Sequence, residues 1–312
     1  MPISLDQKVA IVTGSGAGLG AAYAKALAAA GAAVVVNDVS EAAAAAVVAE
    51  ITAAGGRASA VVAPVGSSAV AEQLVETAVG AYGRLDIVVT NAGILRDKSL
   101  LKMTDEDFDA VIDVHLRGTF TMARAAFAYF KEHEIAGRII AIGSPTGQRG
   151  NFGQTNYAAA KAGIVGMVRT WAIEMRKAGV TANAVIPVAA TAMTKTIPYF
   201  AAAVEAADRG EAMPAFFREG LGFGTPEDVA GVVVWLASDA AQSITGQAIG
   251  VGGDRIQLWS HPEAIASYYH EGGWGAEDIE RELGAQLASQ AQSVGEPPWP
   301  ALPPELDRSA AS

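Results

Sequence analysis

The stretch "KVAIVTGSGAGLG", residues 8–20, decides the fold. A short run of apolar and β-branched residues predicts a strand that is buried on both faces, and a glycine-rich turn follows it directly. The turn fails the strict G-x-G-x-x-G pattern, because Leu19 or Ala21 stands where the last glycine is required. Its spacing is T-G-x-x-x-G-x-G. A turn between a first strand and a first helix is where backbone N–H groups and the helix dipole bind phosphate.

The same alternation of strand and helix continues along the chain. Strands are predicted at 8–13, 32–38, 58–63, 85–90, 138–144, 180–187 and 246–253, and helices at 18–30, 41–54, 67–82, 105–131, 155–178 and 226–237. Repeated strand–helix–strand units predict right-handed crossovers and a parallel sheet with helices on both faces. The predicted fold class is therefore α/β, a single doubly wound Rossmann domain with a seven-stranded parallel sheet.

Two segments interrupt the alternation, and they set the predicted domain limits. Residues 1–253 form the dinucleotide-binding domain, and within them 188–225 is a long apolar insert that we expect to act as a substrate lid. Residues 254–312 form a C-terminal extension, partly helical and Pro-rich at its end, whose helix is predicted from the i, i+4, i+8 spacing of Ile279, Leu283 and Leu287. The apolar residues that either line the lid or form ordinary helix core are Met193, Ile197, Tyr199, Phe200, Met213, Phe216 and Phe217.

Composition excludes several classes of protein. The chain is 51% hydrophobic and 18% charged, which is too apolar for a disordered protein. It has no cysteine, which excludes disulfides and thiolate sites, and its four histidines form no H-x-x-x-H pair, so we expect no metal. A formal net charge of −11 disfavours a nucleic-acid partner. No signal peptide or membrane-spanning run is visible, so we expect a soluble, cytoplasmic protein with no membrane partner.

Asp38 indicates which dinucleotide is bound. It ends the second predicted strand, 18 residues after Gly20, where a carboxylate can accept hydrogen bonds from the ribose hydroxyls of NAD. The same charge would repel the 2′-phosphate of NADP. The alternative is an aspartate that only starts a turn or caps the next helix.

Three further motifs carry chemistry. "NYAAAK", residues 156–161, places Tyr157 and Lys161 four apart and hence on one face of a helix. Ser144 lies 13 residues before Tyr157, at the end of the fifth strand, and "TNAG", residues 90–93, ends the fourth.

Together with the glycine turn, these motifs resemble the short-chain dehydrogenase/reductase family over about residues 5–253. The resemblance implies that Tyr157 is the general base, that Ser144 binds the substrate oxygen, and that Lys161 orients the nicotinamide ribose. The nearby Lys161 ammonium and the positive nicotinamide are expected to lower the Tyr157 pKa. The residues expected to bind the cofactor NAD are Gly14, Ser15, Gly18, Leu19, Gly20, Asp38, Val65, Asn91, Ala92, Gly93, Tyr157, Lys161 and Pro187.

Some positions depart from the family pattern. His115, in "HLRGTF", stands where most members have the fourth catalytic residue, an asparagine. Either function is lost there, or the histidine holds a relay water. Pro64–Val65 replaces a common Asp-Val, which removes a side-chain contact to the adenine amine. Pro187–Val188 replaces the usual Pro-Gly, which changes the loop beside the nicotinamide.

Residues 91–120 and 150–167 resemble one branch of the family, the (R)-3-hydroxyacyl-CoA dehydrogenase of multifunctional enzyme type 2 and actinobacterial hydroxysteroid or steroid side-chain acyl-CoA dehydrogenases. The branch implies lipid metabolism and a small-molecule substrate, either an acyl-CoA or a steroid. A free-steroid 17β-hydroxysteroid dehydrogenase, a 3-oxoacyl carrier-protein reductase and a non-catalytic NAD-sensing protein remain alternatives. Arg96, Lys98 and Lys102 are candidates for binding CoA phosphates. The family also implies a homo-oligomer, a dimer or tetramer, that pairs through helices 105–131 and 155–178.

Overall fold

The computed structural model describes residues 3–190 and 197–306. Its eight strands form one sheet in the order β3-β2-β1-β4-β5-β6-β7-β8. The strands are β1 (Val9–Thr13), β2 (Ala33–Asp38), β3 (Arg57–Val62), β4 (Ile87–Thr90), β5 (Arg138–Ile142), β6 (Thr181–Pro187), β7 (Ala248–Gly252) and β8 (Arg255–Trp259). The order reverses between β1 and β4. In open α/β sheets, ligands bind at the carboxyl ends of the strands beside such a switch point.

Helices cover both faces of the sheet. They are α1 (Gly18–Ala29), α2 (Glu41–Ala53), α3 (Ser68–Tyr82), α4 (Asp105–Val111), α5 (Gly118–Glu132), α6 (Pro145–Arg149), α7 (Thr155–Glu174), α8 (Ala201–Asp208), α9 (Pro226–Ala237), α10 (Ala276–Glu282) and α11 (Gly284–Gln290). Helices α1, α2 and α9 pack on one face with Ala10 and Val12 of β1. Helices α3, α5 and α7 pack on the other face with Val9 and Ile11. The doubly wound α/β prediction is confirmed.

The sheet has one strand more than the seven that the sequence predicts. The seven predicted strands are parallel, and β8 adds an antiparallel edge strand with Ile256 opposite Val251. This strand lies within the segment 254–312, so the first residues of the predicted extension belong to the sheet. The side chains of Ile256 and Leu258 are exposed. Of the apolar side chains in β8, Trp259 packs against the core, so the strand lacks the buried apolar run by which the others were recognised.

The helix predicted over 105–131 contains a π-helical turn. Residues Ile112–Arg117 form this turn between α4 and α5, and His115 lies within it. Such turns insert an extra residue and often occur at functional sites. The helix predicted in the extension is also divided, because α10 ends and α11 begins around Leu283, and neither has a buried residue. Within the described residues, the structure contains no helix both long and apolar enough to cross a bilayer.

The insert after β6 has a small apolar core of its own, which we call the lid core. It includes the buried side chains of Phe200, Met213, Phe217 and Phe223, with Ile197, Tyr199 and Phe216 packed against it. Of the residues predicted to line a lid, Met193 lies outside the described residues. Leu302 and Leu306, near the C-terminus, pack on the same core.

Candidate active site

The glycine turn is held tightly against the end of β4. Gly14 has a φ of +61°, and a Cβ there would lie 2.6 Å from Ala92 Cα. Gly20 admits no side chain either, because a Cβ would collide with the carbonyl oxygen of Gly14. Asn91 Nδ2 donates to the carbonyl oxygens of Thr13 (3.0 Å) and Gly14 (2.9 Å). Asn91 and Ala92 therefore fix the shape of the turn.

The N-terminus of α1 opens outward from this turn. The helix begins at Gly18, with no side chain capping its first turn, and a Cβ on Gly18 would meet nothing within 4 Å. Unpaired N–H groups at a helix start favour a phosphate group. The Leu19 side chain points inward and packs against the part of the core that α1, α2 and α9 share. This geometry fits the pyrophosphate of a dinucleotide.

Ser15, which is expected among the cofactor-binding residues, is tied to β1 and β2 by its hydrogen bonds. Its hydroxyl donates to the carbonyl oxygen of Val12 at 2.7 Å, and its backbone N–H donates to Asn37 O at 2.8 Å. The side chain is fully buried. Both donors of Ser15 are thus used within the protein, where they join β1 to β2, and its expected contact with the cofactor stays a prediction.

Asp38 lies at the rim of the glycine turn. Its Oδ2 accepts a hydrogen bond from Gly16 N at 2.9 Å, and its Oδ1 accepts one from Ser40 N at 3.0 Å. A Cβ on Gly16 would lie 2.8 Å from Asp38 Cγ, so glycine is needed there. The carboxylate starts a turn, as the alternative interpretation required, and it is also half-exposed beside the turn.

Val65 and Pro187 mark the same edge of the sheet. Val65 follows β3 and contacts Gly118, the first residue of α5, where a Cβ would lie 2.9 Å from Val65 Cγ2. Pro187 ends β6, and the next residue, Val188, donates its N–H to Val251 O at 2.9 Å. Both residues therefore lie at carboxyl strand ends, where the fold places a ligand.

Ser144, Tyr157 and Lys161 come together beside the end of β5. Ser144 caps α6, its Oγ accepts from Thr146 N at 3.2 Å, and its hydroxyl makes a hydrogen bond with the Tyr157 phenol. Lys161 is 3% exposed, and its Nζ donates to Ile142 O at 2.6 Å. The same Nζ lies 5.6 Å from the centroid of the Tyr157 ring. A buried hydroxyl, a half-buried phenol and a buried amine thus share one site.

Burial controls the charges of these groups. Desolvation raises the pKa of Tyr157; the hydrogen bond from Ser144 opposes this, and the negative charge of Asp97 adds to it. Desolvation lowers the pKa of Lys161 to about 7. In the chain without cofactor, desolvation disfavours the charged forms of both groups, and the expected lowering of the Tyr157 pKa by the Lys161 ammonium and a bound nicotinamide stays a prediction.

His115 lies in the π-helical turn and faces Tyr157 edge-on, with ring centroids 5.2 Å apart. Its Nε2 is 3.0 Å from Ile94 N and 2.8 Å from Ile94 O. Burial, and then the charge of Lys161, lower the His115 pKa to about 3, so the ring is neutral at pH 7. Its Nδ1 is buried with no partner among the described residues. Gly93 makes room for the ring, because a Cβ there would collide with His115.

Polar residues that sequence reasoning missed connect the two sides of this site. Gln154 Nε2 donates to Asp97 Oδ2 at 2.7 Å, and Gln154 Oε1 accepts from Thr146 Oγ1 at 3.2 Å. Asn156 is buried, and its Nδ2 donates to the carbonyl oxygens of Arg96 (3.2 Å) and Asp107 (3.0 Å). The available signal was their position, since both lie within three residues of Tyr157 at the start of α7.

The cations proposed for CoA phosphates differ in availability. Lys98 Nζ pairs with Asp107 Oδ2 at 2.7 Å, so its charge is largely neutralised. Arg96 donates to the carbonyl oxygen of Leu95, and both Arg96 and Lys102 are exposed.

The extension brings one histidine near two carboxylates, a grouping that the sequence did not predict. Ligand atoms of His270, Asp278 and Glu282 lie within 4.8 Å of one another. Arg281 pairs with both Asp278 and Glu282, so a cation is already present beside the carboxylates.

Comparisons with known proteins agree with this geometry. A family model described as enoyl-(acyl carrier protein) reductase matches residues 14–253. The hydroxyacyl-CoA dehydrogenase ChsB1 of Mycobacterium tuberculosis is 43% identical over 280 residues, which cover 86% of this chain and 84% of that protein. A crystal structure of a short chain dehydrogenase from Mycobacterium avium matches with a TM-score of 0.78 at 37% identity, covering 93% of this chain and 98% of that chain.

Two further relatives differ in the activity that their names give. The peroxisomal multifunctional enzyme type 2 of mouse is 42% identical over 254 residues, which cover 78% of this chain but 32% of that protein, so the chain spans about a third of its length. A 3-oxoacyl-[acyl-carrier-protein] reductase of Synechocystis is 44% identical over 258 residues, covering 82% of this chain and 99% of that protein. The resemblances noted from the motifs are confirmed.

Proposed function

The chain belongs to the short-chain dehydrogenase/reductase family and is an oxidoreductase acting on CH–OH groups, and on this basis we propose that it oxidises an (R)-3-hydroxyacyl-CoA with NAD. The reaction type is supported above all by one observation: Ser144, Tyr157 and Lys161 lie together at the carboxyl edge of the sheet. The family depends on a nicotinamide dinucleotide, which accepts the hydride when bound.

The chain's own residues would handle the proton. Ser144 would hold the substrate hydroxyl, and Tyr157 would accept its proton as the carbinol hydride leaves. Lys161, beneath the phenol, would favour the phenolate through its positive charge, and neutral His115 would hold a water through its unpartnered Nδ1. Water held there would link the site to solvent. General-base help of this kind contributes about 10²–10⁴ in rate.

Asp38 supports NAD over NADP. Its carboxylate lies beside the glycine turn, at the position where the ribose hydroxyls of the dinucleotide would bind. A 2′-phosphate would meet a like charge at the same place. The residues proposed to surround the cofactor are Gly14, Ser15, Gly18, Leu19, Gly20, Asp38, Val65, Asn91, Ala92, Gly93, Tyr157, Lys161 and Pro187.

The acyl-CoA substrate is supported by the Mycobacterium tuberculosis relative that is named a hydroxyacyl-CoA dehydrogenase and by the apolar lid core after β6. The second candidate, reduction of a 3-oxoacyl carrier-protein thioester, is favoured by the Synechocystis relative, 99% of which is covered. The two differ in cofactor, since such reductases normally use NADPH, which Asp38 disfavours.

One experiment separates the candidates. Purified protein would be assayed for NADH formation with an (R)-3-hydroxyacyl-CoA and with a free 17β-hydroxysteroid, and for NADPH oxidation with a 3-oxoacyl thioester. We expect the highest kcat/KM for the acyl-CoA with NAD. A higher value for NADPH oxidation would replace the proposal with the carrier-protein reductase. A higher kcat/KM for the free steroid would replace the proposal with a 17β-hydroxysteroid dehydrogenase, which needs no site for CoA. NAD binding without turnover of any of these substrates would favour the non-catalytic alternative.

A further inference from the structure

The last described residues connect α6 to the insert after β6. Gly295 N donates to Arg149 O at 2.7 Å, and Tyr199 Oη donates to Pro300 O at 2.8 Å. Arg149 ends α6, the helix that Ser144 caps, and Tyr199 lies in the insert after β6. We call residues 295–306 the strap, because they span from α6 to the lid core.

The contact between the strap and Arg149, at the end of α6, is close to Ser144 in the chain. Five helical residues separate Ser144 from the end of α6, a rise of about 7.5 Å. The Arg149 guanidinium also lies over the Trp259 ring, 5.6 Å from its centroid, so this end of the strap is fixed to β8. The strap therefore starts within the length of a small substrate from Ser144.

Trp299 is the strap's main contact with the lid core. Its ring centroid lies 4.7 Å from that of Tyr199 and 5.0 Å from that of Phe200. Phe200 in turn stacks on Phe223 at 4.2 Å. Trp299 is 47% exposed, so one part of the indole packs on the lid core and the other is free.

Two large apolar side chains are exposed in the loops that precede α4 and α7. Phe152, between α6 and α7, is 89% exposed, and Leu101 is 98% exposed. The loops that carry them are joined, because Lys98 N donates to Gly153 O at 2.9 Å. Exposed apolar side chains in two joined loops favour an apolar ligand.

From this arrangement we propose that Trp299 determines substrate specificity, by holding the lid core in place and presenting its free face to the apolar part of the substrate. The inference rests on the proposed function only in requiring an alcohol substrate with a bulky apolar portion, such as a long acyl chain. It assigns the strap of the same chain, rather than the lid alone, to the substrate site. A short substrate would react at Ser144 and Tyr157 without reaching Trp299.

The test compares Trp299→Ala with Tyr269→Ala, a control in the same extension whose ring is 91% exposed. Because an aromatic contact is worth about one kcal/mol and 1.4 kcal/mol is tenfold, KM for a long-chain (R)-3-hydroxyacyl-CoA should rise about three- to tenfold in Trp299→Ala. KM for the four-carbon analogue, KM for NAD and kcat should be unchanged within twofold. Trp299→Phe should restore most of the long-chain KM. Equal changes for both chain lengths, or no change, would overturn the proposal.

Hydrogen exchange tests the strap without any substrate. Amides of the lid core, residues 200–223, should exchange faster in Trp299→Ala than in the wild type, and Tyr269→Ala should leave them unchanged. If none of the acyl-CoA compounds is oxidised, the proposed function fails while this measurement still reports on the strap. Unchanged exchange in the lid core of Trp299→Ala would show that the strap does not hold it.

Discussion

Replacing His115 by asparagine should remove a defined part of the protein's sensitivity to acid. The ring is 4% exposed, and its pKa is lowered from 6.5 to about 3, first by burial and then by Lys161. The unfolded chain therefore binds a proton at His115 between pH 6.5 and pH 3, whereas the folded protein does not. The contribution of the neutral His115 ring to the free energy of unfolding is therefore fully present above pH 6.5, and it is lost progressively as the pH falls toward 3.

The magnitude follows from the two pKa values. Protonation of the unfolded state at a pKa of 6.5, with the folded state at about 3, lowers the free energy of unfolding at pH 5 by about 2 kcal/mol relative to pH 7. Asparagine does not titrate, so His115→Asn lacks this contribution. Any loss of packing in the variant applies equally at both pH values and cancels when the difference between them is taken.

Urea unfolding at pH 7 and pH 5, at one protein concentration, measures this difference. The wild type should lose about 2 kcal/mol more than His115→Asn between the two pH values. His133→Asn is the matched control, since His133 lies at the C-terminal end of α5 and is exposed; this variant should behave as the wild type. If the wild type and His115→Asn lose the same stability, His115 is not a buried neutral ring.

Three further outcomes test the site and the assembly. Tyr157→Phe should lower kcat for alcohol oxidation by about 10²–10⁴ and leave NAD affinity within a few-fold, as a kinetic assay with Tyr129→Phe as control will measure. Asp38→Ala should raise KM for NAD about tenfold or more and improve the use of NADP relative to NAD, because a charged hydrogen-bond acceptor is lost. An unchanged ratio of kcat/KM with NADP to kcat/KM with NAD would mean that Asp38 only stabilises its turn. Phe120, on α5 and 41% exposed, should lie in the proposed interface between subunits. Light scattering should therefore show a dimer or tetramer for the wild type and a smaller species for Phe120→Glu. A monomeric wild type would contradict the proposed interface.

The fold could be predicted where a residue's neighbours in sequence determine its burial. Val12 and Val36 lie in short apolar runs that are buried on both faces, and such runs alternate with helices, which specifies a doubly wound sheet. Strand β8 could not be found in this way, because Ile256 and Leu258 remain exposed and the strand exists through pairing with β7. Trp299 packs against Tyr199 and Phe200, which precede it by about a hundred residues in the sequence, and local patterns do not encode such a contact.

The site itself was predictable in its residue types but not in its charges. Tyr157, Lys161 and His115 were found from spacing and from one departure from the family pattern. Their ionisation depends on burial, which only the packed structure reveals. Ser15 illustrates the same limit, since its place in the glycine turn could be read from the sequence, whereas the hydrogen bond from its hydroxyl to Val12 O could not.

Burial explains why Tyr157 and Lys161 have to be considered as a pair. Desolvation raises the pKa of the phenol and lowers that of the amine, so it favours the neutral form of each. A phenolate without a nearby cation, or an ammonium without a nearby anion, is costly in such a site, whereas the two charges together attract each other. The proton that Tyr157 accepts is therefore coupled to the charge on Lys161, and the apparent pKa values in a plot of rate against pH belong to the pair.

Ser144 acts on the phenol in the opposite direction to burial, because the hydrogen bond from its hydroxyl lowers the Tyr157 pKa. Ser144 thus contributes to making Tyr157 a base as well as to positioning the alcohol.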